Sequence, residues 1–139
     1  MISLRARQLQ FVLRKFVRSK WQDNLDIVRV RKIIRRVDNL FRSTPRGVDV
    51  TNIDASGVAC QWITPHNNTT NRVLYYIHGG AFSINMPRTY ASFTTAIGKL
   101  LNARILLVDY RLAPEHPFPA APNDCLTVYR WLLKQPSVD

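Results

Sequence analysis

An apolar run, Val73-Leu74-Tyr75-Tyr76-Ile77, ends in His78-Gly79-Gly80-Ala81-Phe82. Successive glycines let a backbone turn sharply and approach a ligand closely. Their N–H groups are then free to face an oxygen, which is what stabilising the oxyanion of an acyl-transfer intermediate requires. Taken alone, Gly79-Gly80 reads first as an ordinary strand-to-loop turn. A second run, Ile105–Val108, is followed by Asp109-Tyr110-Arg111-Leu112-Ala113-Pro114-Glu115-His116-Pro117-Phe118-Pro119-Ala120-Ala121. Pro114, Pro117, Pro119 and Pro122 stiffen that stretch. Cys60 and Cys125 fit no zinc or redox spacing and read as buried free thiols, so no metal site is expected.

The elements around these segments follow from periodicity. Val48–Ile53 and Val58–Thr64 read as two strands of a hairpin turned at Ala55-Ser56-Gly57. Arg72–His78 and Arg104–Tyr110 are apolar on both faces, as buried parallel strands are. Tyr90, Phe93, Ile97 and Leu100 mark a helix over about 88–101, with Pro87 suited to its first turn. Leu126, Tyr129 and Leu133 mark a last helix over about 123–134, with Trp131 near its edge. The order strand, strand, strand, helix, strand, helix is that of an open α/β sheet of about four strands with helices on both faces. Such sheets place their sites beyond the carboxyl ends of the strands, where His78–Phe82 and Tyr110–Ala120 both lie.

These two segments, in this order and about thirty residues apart, resemble the hormone-sensitive lipase family of α/β-hydrolases, the fold-3 esterases and lipases. The resemblance covers most of residues 43–135. It implies an incomplete α/β-hydrolase sheet in 43–139, with an oxyanion hole built on the backbone N–H groups of Gly80 and Ala81 and a turn supported by Gly79. The family usually has a third glycine where Ala81 stands. The methyl group is a mild departure if the local φ is negative. His78 and His116 are expected to hold the loop rather than act as bases, with Tyr110, Arg111 and Glu115 as hydrogen-bonding support. No cofactor is implied, and the substrate would be a small ester or other acyl compound.

The family's chemistry also needs a serine in Gly-x-Ser-x-Gly, then an acid and a histidine. Ser3, Ser19, Ser43, Ser56, Ser83, Ser92 and Ser137 all lie outside that context, and His116 is the last histidine. No triad residue can be placed. The chain therefore reads as the N-terminal portion of a serine carboxylic-ester hydrolase, inactive by itself. Two alternatives remain: a non-catalytic half-fold used for binding, and a membrane-surface protein. In the resembling fold, Val73–Ile77 would also pair with a nucleophile strand not found here. An open edge invites aggregation or self-association.

The chain has 139 residues and a formal charge of +11. Residues 1–42 hold 12 Lys and Arg against three acids, and carry +9 of that charge. The remainder is nearly neutral, which argues against a nucleic-acid-binding surface. Leu9, Val12, Leu13, Phe16 and Val17, then Ile27, Val30, Ile34, Val37 and Phe41, recur at helical spacing. Two basic amphipathic helices, about 3–20 and 24–42, are expected. The resemblance makes them cap-type helices, while their charge also suits a membrane surface. Composition changes at the Ser43–Gly47 turn cluster, giving a segment 1–42 and a hydrolase-like segment 43–139. No secretory leader or membrane span is visible, so a cytoplasmic location is expected ahead of a mitochondrial or peripheral-membrane one.

Overall fold

The computed structural model describes residues 26–40 and 45–136. The helix expected over 3–20 lies outside them. Helix α1 spans Ile27–Leu40, strand β1 Val48–Asp54, β2 Ala59–Pro65 and β3 Val73–Ile77. Helix α2 spans Pro87–Leu101, β4 Arg104–Val108 and α3 Ala120–Leu132. Two compact units divide the chain, residues 1–33 and 34–139, so the unit holding the sheet starts within α1. No described helix is long and apolar enough to cross a membrane.

The four strands form one mixed sheet in the order β1-β2-β4-β3. β1 and β2 pair antiparallel from Val48 opposite Pro65 to Asp54 opposite Ala59. β2 pairs antiparallel with β4, and β4 pairs parallel with β3 from Val73 opposite Arg104 to Ile77 opposite Val108. The alternation of β4 separates two cores. Leu106 and Val108 join Trp62, Ala121, Val128 and Leu132 on the α3 face. Ile105 and Leu107 join Ile63 and Ala91 on the α2 face. Trp62 also carries the Arg104 guanidinium over its ring at 4.2 Å, a cation–π contact that lets the charged group cover apolar surface.

Two sequence expectations change here. β3 is half-buried rather than buried, because β4 is its only neighbour among the described residues. Cys60 is buried and Cys125 only partly so, and both are free thiols. Burial pushes the Cys60 thiol up to about 12, so it behaves as an inert core group.

The structure also decides which helix faces are buried, a point that periodicity leaves open. On α2 the sheet receives Ala91, Thr94, Thr95 and Gly98, while Phe93 and Leu100 are 54% and 87% exposed. On α3 it receives Ala121, Asp124, Val128 and Leu132, while Leu126, Tyr129 and Leu133 stay exposed. Small residues let α2 lie close to the sheet. A Cβ added at Gly98 would stand 2.3 Å from Ile105 Cδ1 and 3.1 Å from the Ala103 carbonyl oxygen.

The start of α2 is capped from outside its own sequence neighbourhood. The residue before it, Met86, makes no side-chain cap. Instead Asp38, on α1 and 2% exposed, accepts the Arg88 and Thr89 N–H groups at 3.1 and 2.9 Å. It also accepts the Thr89 hydroxyl at 2.7 Å. A carboxylate there satisfies two of the helix's orphan donors and meets the positive end of its dipole.

Candidate active-site loop

β3 and β4 run parallel, so the two segments singled out from the sequence leave the sheet side by side. They are tied together at several points. The Tyr110 hydroxyl donates to the His78 carbonyl at 2.6 Å, and the Ala113 N–H to the Phe82 carbonyl at 2.8 Å. The His78 ring lies between two tyrosines, stacked on Tyr110 at 4.1 Å and on Tyr90 at 5.3 Å between centroids. Its Nδ1 is 2.8 Å from the Gly79 carbonyl oxygen, which also accepts the Tyr90 hydroxyl at 3.0 Å. Burial raises the Tyr110 phenol to about 12 and keeps it a donor.

The turn itself depends on Gly80. Its φ is +124°, and a Cβ there would fall 2.1 Å from the Ile84 backbone oxygen. The Gly80 carbonyl accepts the N–H groups of Ser83 and Ile84 at 3.0 and 2.9 Å, closing the loop. Neither the Gly80 N–H nor the Ala81 N–H donates to another described residue. Two adjacent backbone donors are thus left for an outside acceptor.

Ala81 does not meet the condition set for it. Its φ is +52°, and Phe82 follows at +54°. A side chain in this region costs about 1–2 kcal/mol through the clash of Cβ with the backbone. The cross-loop bond from Ala113 to Phe82 helps hold both residues there. Replacing Ala81 with glycine relieves the clash but frees the unfolded chain, for an expected net gain of about 0.5–1 kcal/mol. Urea unfolding of Ala81→Gly measures it, and a loss of stability would contradict this reading of the loop.

The proline-rich segment is anchored to α3. Asp124, 5% exposed, accepts the Arg111 backbone N–H at 2.9 Å. It also takes Arg111 Nε at 2.9 Å and an Arg111 terminal nitrogen at 2.7 Å. The Arg111 guanidinium holds the Asp124 carboxyl below the usual carboxylate range, against the opposing effect of burial. Asn85 Nδ2 donates to Asp109 at 2.6 Å. Glu115 and His116 are exposed. His116 and Phe118, with Ala81, Phe82, Ala113 and Ala121, line an almost wholly apolar cleft of about 400 Å³ beside the glycine turn.

Tyr90, Asp124 and Asn85 support this loop without having been singled out in the sequence. In the sequence Tyr90 reads only as one of the residues that mark the helix over about 88–101. Asp124 carries no local signal, because its partner lies 13 positions away.

His78 gives the site a pH dependence. Burial lowers its pKa from the ordinary value near 6.5, outweighing the Gly79 carbonyl and Asp109, which favour the cation. Its Nε2 is buried without a partner among the described residues. The fold therefore holds neutral imidazole, while the unfolded chain protonates near 6.5. Stability is fully present above that value and falls as pH drops through it toward the lower folded pKa. The urea midpoint is expected to decline between pH 7 and 5.5, with a smaller decline in His78→Asn. An equal decline in both would exclude His78 as the cause.

The chain is similar in sequence and fold to known proteins. A family model described as an α/β-hydrolase fold matches residues 74–139. An esterase of Acinetobacter venetianus is 32% identical over 124 residues, covering 89% of this chain and 40% of that protein. The crystal structure of an esterase/lipase from an uncultured bacterium covers 94% of this chain and 43% of its own, with a TM-score of 0.77 and 29% identity. A hormone-sensitive lipase from a metagenome library covers 92% of this chain at 34% identity, with a TM-score of 0.75. The chain belongs to the hormone-sensitive-lipase-like α/β-hydrolases. An acetyl-hydrolase of Streptomyces hygroscopicus is 37% identical over 75 residues, which is 54% of this chain and 25% of that protein. This hydrolase-family chain thus spans 25% of the Streptomyces hygroscopicus protein, 40% of the Acinetobacter venetianus esterase and 43% of the esterase/lipase from an uncultured bacterium. Within it, the sheet up to β4, the glycine turn and the proline-rich loop are all present.

Proposed function

We propose that this chain supplies the oxyanion-binding wall of a serine carboxylic-ester hydrolase and does not hydrolyse esters by itself. The observation that carries the reading is the pair of adjacent, unengaged N–H groups at Gly80 and Ala81 on a turn that excludes a side chain at Gly80. In serine ester hydrolysis, a serine oxygen attacks the ester carbonyl and the carbonyl oxygen becomes an oxyanion. Two fixed N–H donors stabilise that charge without reorganising. The alcohol leaves, and water then releases the acid and restores the serine. His78 fixes the Gly79 carbonyl and the tyrosine stack, and has no part in proton transfer. The apolar cleft beside Ala81 would favour a hydrocarbon-bearing substrate over a charged one.

The 139 residues contain no Gly-x-Ser-x-Gly. The purified chain is therefore expected to leave p-nitrophenyl butyrate intact and to take up no organophosphonate. When the chain is joined to the serine-bearing part of a matched esterase, hydrolysis should appear. Hydrolysis by the chain alone, surviving Gly80→Ala, would overturn the proposal.

A further inference from the structure

We propose that helix α1 is an attachment surface for an anionic lipid bilayer. It lies in the headgroup region with Ile33, Val37 and Leu40 toward the acyl chains. The inference stands apart from the oxyanion reading, since it rests on α1 alone.

The charge on α1 has one sign at its surface. The helix holds five cations, Arg29, Arg31, Lys32, Arg35 and Arg36, against one acid. That acid, Asp38, is buried and taken up by the start of α2. Asp26, just before the helix, is turned onto the Arg29 backbone N–H at 3.1 Å. Arg29, Lys32, Arg35 and Arg36 are exposed, and at helical spacing they share one arc. Arg31 and Arg35, like Lys32 and Arg36, stand four apart, where like charges destabilise a helix in water. An anionic surface turns that repulsion into attraction. The sequence before α1 adds to it, because residues 1–22 hold six Lys and Arg and no acid.

The apolar residues of α1 are only partly covered. Ile27, Val30 and Ile34 are half-buried on the side of Asp38. Ile33, Val37 and Leu40 are 54%, 43% and 78% exposed. They fall at i, i+4 and i+7, on a line next to Arg29 and Arg36. An exposed apolar line beside a basic arc is what an in-plane helix needs. The apolar side chains enter the acyl boundary while the long cationic ones reach back to the phosphates.

Other occupants fit one half of this surface and not the other. A nucleic acid would engage the cations and leave Ile33, Val37 and Leu40 in water. A second copy could cover the apolar line, but would bring the same cations alongside it. A bilayer with anionic lipid satisfies both. Asp38 also joins α1 to the start of α2, whose Tyr90 hydroxyl holds the Gly79 carbonyl. The attachment surface thus adjoins the element that holds the glycine loop.

The test uses the whole chain and vesicles of phosphatidylcholine, either alone or in equal mixture with phosphatidylserine. The chain is expected to sediment with the mixed vesicles and to bind phosphatidylcholine alone at least about tenfold more weakly. Binding should weaken about tenfold or more between about 0.1 M and about 1 M salt, as the screening length falls from about 10 Å to about 3 Å. Arg29→Gln with Lys32→Gln and Arg36→Gln should lose about 100-fold in affinity, at about fivefold per cation. Ile33→Gln with Leu40→Gln should lose about tenfold with every charge kept. Glutamine is a good helix former and all five positions are exposed, so the urea midpoint of both variants should stay in place. Equal binding to the two kinds of vesicle would overturn the proposal. So would full binding by either variant, since a bilayer needs the cations and the apolar line together. A homodimer through Ile33 and Leu40 that mixed vesicles leave intact would overturn it as well.

Discussion

Gly80→Ala is expected to cost about 10²–10³-fold in kcat for p-nitrophenyl butyrate when the chain is joined to a serine-bearing part, the loss typical of one missing oxyanion donor. The cause is geometric. The added Cβ would stand 2.1 Å from the Ile84 oxygen and 3.0 Å from its carbonyl carbon, both backbone atoms that cannot rotate away. The φ of +124° adds strain, because a side chain rarely adopts it. Relief requires Gly80 to move. Its carbonyl would then leave the Ser83 and Ile84 N–H groups, and its own N–H and that of Ala81 would be displaced with it. KM should change much less than kcat, since in the proposed role the donors would act on the charge that develops in the transition state. Gly79→Ala is the comparison. Nothing lies within 4 Å of a Cβ built there and its φ is not positive, so its loss should be far smaller. Equal losses at the two positions would remove Gly80 from the role assigned to it.

The contrast between these neighbouring glycines could not be read from the sequence. Period-two alternation and apolar runs located all four strands within a residue or two. The α/β order then placed both loops at one edge, because that inference needs only chain order and handedness. Backbone conformation inside the turn is different. It depends on where Ile84 returns and on what holds Phe82, so Ala81 could be judged only conditionally, and its φ of +52° reverses the condition. The buried helix faces were not legible for another reason. Periodicity finds an apolar stripe but does not name its partner. On α2 the close approach at Gly98 selects the small-residue face for this sheet and leaves Phe93 and Leu100 outward. Phe93 and Leu100, which mark the helix in the sequence, are thus not the residues that face the sheet.

Asp38 was invisible in the sequence for a related reason: the donors it satisfies lie 50 and 51 positions away. Near the carboxyl end of its own helix, an acid meets the negative end of the dipole and is misplaced. Its position makes sense only against the start of α2. Asp38→Ala leaves the Arg88 and Thr89 N–H groups and the Thr89 hydroxyl without this acceptor. The expected cost is about 2–3 kcal/mol, above a simple cap deletion because the carboxylate is buried and receives three donors. Asp38→Asn keeps one acceptor oxygen and should cost less than half as much. Urea unfolding of the three proteins gives the ranking, and equal stability of Asp38→Ala and wild type would contradict the cap. Hydrogen exchange gives the functional consequence. The first turn of α2 leads to Tyr90, whose hydroxyl holds the Gly79 carbonyl and whose ring closes one side of the His78 stack. A frayed turn should therefore speed exchange in the glycine loop as well as at Arg88 and Thr89, linking α1 to that loop through one buried carboxylate.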